Sequence, residues 1–188
     1  MNDPANYKQV LSHFKASPKE VRSYLPSFEK LVKGYDWDVS ISYVFSRVES
    51  VKHKTIYCGI VKLHWTESEL THRAVDRDHM SRGRFRDLFK IVYGKPIDDQ
   101  LLLKLSNAEA TRDKIAHGKN WTEAQARKSL IDIIDFATGL NDFVYDIAKI
   151  RPFGGDLRGF KGRKEPLSKQ TTHWVLKGMG IPKAGDPQ

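Results

Sequence analysis

The chain has one cysteine, Cys58, in 188 residues. A lone thiol excludes an internal disulfide framework and any zinc centre built from several cysteines of one chain. It also makes a reducing compartment, the cytoplasm, the expected location. Long apolar runs are missing as well: the longest strictly apolar stretch is three residues, as in Leu101–Leu102–Leu103. Neither a transmembrane helix nor a secretory signal peptide is expected from such a pattern, so no membrane partner is expected either. Internal repeats and low-complexity tracts are absent. Negative charge is in deficit, with 32 Lys+Arg against 23 Asp+Glu, a formal net charge of +9 and a pI of about 9.6. Such a surplus favours polyanionic partners, nucleic acid first among them. It is concentrated: residues 151–188 hold eight Lys/Arg and three Asp/Glu, and so carry +5 of the total.

Several familiar chemistries are also missing. Gly154 and Gly159 have the glycine spacing of a phosphate-binding loop, but Phe160 and Lys161 follow where Lys and Ser/Thr are needed. Gly178 and Gly180 are followed by Lys183, so there is no dinucleotide fingerprint, and no His-Glu-x-x-His occurs. Asp76, Asp78 and His79 have metal-ligand side chains, yet the intervening Arg77 favours a solvated, charged helix face. No metal and no cofactor is expected. Cys58 sits in an apolar stretch and reads as a small core residue.

The chain is rich instead in helical periodicity. Ala126, Leu130, Ile133, Ala137, Leu140, Val144 and Ile147 recur at helical spacing, widened by Ile134 and Phe143. Thr122 with Gln125 forms a capping box at the start, and Pro152 with Gly154–Gly155 stops the pattern. A second helix is predicted from Asp98 to about Ala116, ended by Gly118. A shorter one between Gly83 and Tyr93 is closed by Gly94 and Pro96. Upstream, Ser17-Pro18-Lys19-Glu20 supplies an N-cap and a proline at the first helical position, and Pro26 breaks or kinks the helix begun there. Residues 36–65 read as a helix stripe through Trp37, Ile41, Val44, Val48 and Val51, although Val39–Tyr43 alternates like a strand. The absence of Gly and Pro before Gly59 favours one long helix. Residues 1–150 are thus expected to form an all-α bundle of four to five helices, with peripheral helices in 1–35. Residues 151–188 are expected to be a basic, glycine-rich, partly extended C-terminal appendage with a short helix around 168–177.

The predicted helix from Asp98 carries an oddity. At about 100° per residue, Leu105, Ala108, Arg112 and Ile115 all lie within about 40° of Leu101. Arg112 therefore projects from an apolar stripe, where an arginine is costly unless paired. Either it snorkels or pairs with a buried carboxylate, or it points into a polar cleft or subunit seam where an anion binds. His117, five residues on, would sit about 140° from Arg112 on a straight helix. The two share a site only if the backbone leaves the helix near Gly118, which glycine permits, or if two subunits contribute.

Arg112-Asp113-Lys114-Ile115-Ala116-His117-Gly118 resembles the signature of the HEPN superfamily: arginine, a polar Asn, Asp or His, three residues, then histidine. Arg47 and Arg73 also precede histidines, by six residues, but neither is followed by a polar residue. The resemblance covers roughly residues 36–149. It implies a helical bundle, usually dimeric, with paired motifs facing each other across the interface. Active members are metal-independent endoribonucleases that promote attack of the RNA 2′-hydroxyl on the adjacent phosphate. Many are toxins held by an antitoxin protein, or antiviral effectors; others are inactive modules that bind RNA or protein.

On that resemblance Arg112 and His117 are the expected catalytic residues, and the chemistry suits them. Histidine can accept or donate a proton at neutral pH, and arginine can hold a phosphate through two hydrogen bonds. Asp113 is expected to orient Arg112 or the loop, and Gly118 to end the helix. In the tail, Arg158, Lys161, Arg163 and Lys164 are candidate RNA contacts, with Phe153, Phe160 and Trp174 either stacking on bases or anchoring the tail. The expected function is an RNA endonuclease acting as a homodimer; the alternative is a non-catalytic helical module binding RNA or a protein.

Overall fold

The structure, a computed structural model, describes residues 3–34, 36–154, 162 and 164–181. Among them it contains nine helices and no strand, so the all-α class holds. In chain order these are α1 (Tyr7–Ala16), α2 (Lys19–Tyr24), α3 (Phe28–Lys33), α4 (Trp37–His64), α5 (Ser68–Arg77), α6 (Arg82–Tyr93), α7 (Asp99–Ala116), α8 (Glu123–Ala148) and α9 (Lys169–Gly178). The number exceeds four or five because the N-terminal segment alone forms three short helices. No helix among the described residues is long and apolar enough to cross a membrane.

By packing, the described residues fall into two compact units, and α4 and α8 each contribute to both. The first unit takes the described parts of Met1–Val48, Asp98–Phe143 and Phe153–Gly155. Its first helix is capped by Asn6, whose side chain accepts from Gln9 N at 3.1 Å. Ser17 does not cap α2 as its position before Pro18 suggested. Its hydroxyl instead donates to Phe14 O at 2.6 Å, closing α1, and Pro18 takes the N-cap position of α2 with no side-chain cap. Leu25, Pro26 and Ser27 separate α2 from α3, as the proline requires.

The helix-or-strand ambiguity before Tyr43 resolves as helix. Trp37, Ile41, Val44, Phe45 and Val48 are buried, whereas Val39, which a strand would have turned inward with Ile41, is 48% exposed. Phe14 stacks on Phe28 with ring centroids 4.3 Å apart. Leu130, Ile133, Ala137 and Leu140 of α8 are fully buried, matching the periodicity read from sequence. Phe153 is also fully buried, its ring edge-on to Tyr24 and to Phe136. It is a core residue contributing roughly 1.5–3 kcal/mol, which removes it as a base-stacking group.

The second unit takes the described parts of Glu49–Ile97, Val144–Pro152 and Asp156–Gln188. Here α4 and α6 meet at Gly59, where an added Cβ would lie 2.5 Å from Val92 Cγ1 and 2.7 Å from Tyr93 Cζ. One turn earlier, Tyr93 donates its hydroxyl to Thr55 O at 2.7 Å. Cys58 is buried, and burial pushes its thiol up to about 12 against the opposing charge of Lys54. The helix expected around residues 168–177 is α9, capped by Ser168 and packed on α5. Thr172 and Leu176 face inward, and Thr172 Oγ1 accepts from Glu67 N at 3.0 Å. Beyond α9, Gly180 O accepts from Arg84, whose guanidinium also pairs with Asp78.

Candidate functional site

The candidate site is the C-terminal end of α7, within the first unit. Asp98 starts the helix by accepting from Gln100 N and Leu101 N. Leu105 and Ala108 bury the inward face. Arg112 continues that face at its margin: its side chain is 35% exposed and its guanidinium lies over the Phe45 ring, 5.4 Å from the centroid. It is therefore neither sunk in the core nor paired with a buried carboxylate. Its Nε is buried and lies 3.1 Å from Asp113 Oδ1. That contact is an ion pair by distance alone, since the N–H direction makes no hydrogen bond. The two terminal nitrogens hydrogen-bond to none of the described residues, so the donor fork remains available to an anion.

The helix runs to Ala116, and His117 follows directly on its path. Its N–H reaches Asp113 O at 3.1 Å, and it occupies the C-cap with φ −102° and ψ 15°. The chain turns at Gly118, which adopts φ +61°. Gly118 N bonds to Ile115 O at 3.2 Å and Lys119 N to Lys114 O at 2.8 Å, the paired bonds of a Schellman ending. Glycine thus does end the helix, but one residue too late to swing His117 round to Arg112. The helical path leaves about 140° between the two side-chain directions. His117 itself is exposed. Five residues after His117, Thr122 and Gln125 exchange hydrogen bonds and open α8.

Of the expected tail contacts, Arg158, Lys161 and Arg163 lie outside the described residues, as does Phe160; Lys164 is exposed. Trp174 stands on the outer face of α9, 64% exposed. Asp76 and Asp78 are held by His72 and Arg84 respectively. Among the described residues no group of three or more His, Cys, Asp or Glu is placed to hold a metal ion.

A polar cluster that the sequence did not announce lies elsewhere in the same unit. Asp135 of α8 accepts from His13 Nε2 of α1 at 2.6 Å and from Lys104 Nζ of α7. The three line a cavity of about 440 Å³ with Ser17, Pro18 and Ile134. Burial pushes the Asp135 carboxyl up, but the hydrogen bonds and charges of Lys104 and His13 outweigh it and hold the carboxyl below its usual value. The residues are 122 and 31 positions apart, and no spacing rule links them. Ser17 also lines this cavity, but its hydroxyl is committed to Phe14 O, so no nucleophile is activated there. No family model matches this chain, and no curated protein or solved structure matches it either.

Proposed function

We propose that the protein is a metal-independent endoribonuclease whose working groups are Arg112 and His117. In this reading Arg112 binds the scissile phosphate through its terminal nitrogens and stabilises the charge that builds on it. One His117 removes the proton from the 2′-hydroxyl. The 2′-oxygen bonds to phosphorus, and the bond from phosphorus to the 5′-oxygen breaks. A second His117 protonates the departing 5′-oxygen, leaving a 2′,3′-cyclic phosphate and a 5′-hydroxyl. The observation that carries the reading is an arginine with an uncommitted donor fork at the same helix end as an exposed histidine.

The angle between the two groups favours a homodimer, in which each copy lends its histidine to a shared cleft. Asp113 holds Arg112 on its Nε side, and Gly118 fixes the turn out of α7. Lys164, together with Arg158, Lys161 and Arg163, would add phosphate contacts. A role as a toxin or defence effector restrained by an antitoxin protein belongs to the same reading.

The test is incubation of purified protein with total RNA and excess chelator, with analysis of the product ends. Cleavage to cyclic-phosphate ends is expected, lost in both Arg112→Ala and His117→Ala while the helical circular-dichroism spectrum is kept. Cleavage at the wild-type rate in both variants removes these residues from the mechanism. A second reading, a non-catalytic RNA- or protein-binding module, is favoured by the packing of Arg112 on Phe45, which stabilises a surface without any reaction. RNA binding by wild-type protein without cleavage would select it.

A further inference from the structure

The outer side of α9, in the second unit, is basic and aromatic. At about 100° per residue, Lys169, His173, Lys177, Gln170 and Trp174 fall in that order within an arc of about 140°. Thr172 and Leu176 face inward instead. None of the five outer side chains makes a hydrogen bond, ion pair or ring contact with a described residue. Trp174, at 64%, is the most exposed large apolar side chain among the described residues. An anchoring role needs burial, so this ring anchors nothing. Single exposed apolar side chains are common on protein surfaces; this one differs in standing among unpaired cations.

The charge around it has one sign. α9 has no acidic residue. Residues 164–181 contain Lys164, Lys169 and Lys177 against one carboxylate, Glu165, which lies ahead of the helix. The backbone beneath is fixed along its length. Ser168 Oγ accepts from Thr171 N at 3.1 Å, Thr172 Oγ1 accepts from Glu67 N at 3.0 Å, and Arg84 donates to Gly180 O at 2.8 Å just past the helix end. A helix so held presents its outer side chains at little ordering cost.

The ligand that complements lysines interleaved with an indole is a chain of negative charges carrying aromatic rings. Single-stranded nucleic acid has that form: its bases stack on aromatic side chains and its phosphates meet the cations. A duplex keeps its bases stacked on one another and leaves Trp174 without a partner. A lipid surface needs a broad apolar face, whereas α9 turns Thr172 and Leu176 into the protein and leaves Trp174 alone outside. We propose that the outer side of α9 binds single-stranded RNA, with a base stacked on Trp174 and neighbouring phosphates held by Lys169 and Lys177. The choice of RNA rests on the nuclease reading, to which this surface adds a grip on the strand made by residues that take no part in the reaction.

The experiment follows binding of full-length protein to a fluorescein-labelled 2′-O-methyl RNA decamer, whose blocked 2′-oxygens prevent cleavage by the proposed route. Anisotropy is read across a series of salt concentrations. Trp174→Ala is expected to weaken binding about tenfold at every salt concentration, and Trp174→Phe to restore most of it. Replacing Lys169 and Lys177 together by Gln should make the log–log salt slope shallower by about 1.4, since each phosphate contact contributes about 0.7 on a single strand. A duplex of the same length should bind less tightly and be indifferent to Trp174→Ala. The proposal is overturned if Trp174→Ala binds the single strand like wild type, or if the double lysine variant keeps the wild-type slope. It is equally overturned if a deoxy decamer binds more tightly than the RNA, or if phosphatidylserine vesicles take up the protein through Trp174 while the decamer does not bind. Cleavage of unmodified RNA by wild type is measured in parallel. Binding that needs Trp174 without any cleavage sinks the nuclease reading alone, and cleavage with binding indifferent to Trp174 sinks this surface alone.

Discussion

Asn141 holds Phe153 by both halves of its carboxamide. Oδ1 accepts from Phe153 N and Nδ2 donates to Phe153 O, each at 2.7 Å, and both residues are buried. Asn141→Leu would leave a buried amide and a buried carbonyl without partners, so it should lower stability by about 2–4 kcal/mol, measured as a shift of the urea unfolding midpoint. An unchanged midpoint would mean that other groups satisfy Phe153. In the sequence Phe153 stood among basic and glycine residues, and its aromatic ring looked available to a ligand. A side chain's composition neighbourhood does not reveal a partner twelve residues away that fits it exclusively. Arg112 was legible for the opposite reason. Its signal is local, a charge in an apolar stripe, and the stripe is set by helix geometry alone. What the stripe could not supply was Phe45, on another helix, which lets the guanidinium rest at the margin of the core.

Helix boundaries were readable wherever a cap announced them. The Thr122–Gln125 box, Asp98, Ser168, Gly94 and Gly118 all act as their residue types predict. The short helix α5 carries few apolar positions, and α1 shows its period over only two turns, in Tyr7, Val10, Leu11 and Phe14; Ser17 was ambiguous because one hydroxyl can serve the helix on either side of it. Between helices, the cluster of His13, Asp135 and Lys104 ties α1, α7 and α8. Because the Asp135 carboxyl is held below its usual value, its ionisation contributes stability above the unfolded-state value of about 3.9. That contribution disappears as pH falls through the lower folded value. Unfolding midpoints recorded between about pH 5 and pH 2 should therefore fall more steeply for wild type than for Asp135→Asn. Parallel curves would show that the carboxylate gains nothing from its two partners.

For the whole molecule, the helical class and the basic balance were legible because both are sums over many residues and tolerate local misreading. The candidate site was legible only in part: Arg112 and His117 stand on one helix end, but their directions diverge, and a sequence does not show what lies opposite. A two-chain site makes a distinctive prediction. Mixing wild-type protein with excess His117→Ala and allowing exchange should reduce cleavage as the square of the wild-type fraction, because a mixed pair has one histidine where acid and base are both needed. A linear fall, or sedimentation of a fully active monomer at assay concentration, would require the second proton-transfer group to come from the same chain.

The contact at Gly59 has a bearing on kinship. With Val92 Cγ1 and Tyr93 Cζ occupying the space of a Cβ, that position admits a larger residue only if those side chains shift or become smaller. A chain of the same architecture that keeps the valine and the tyrosine is therefore expected to keep a glycine opposite them, whatever stands at positions 112 and 117. The Gly59–Tyr93 pair is thus a marker of shared architecture that is blind to chemistry.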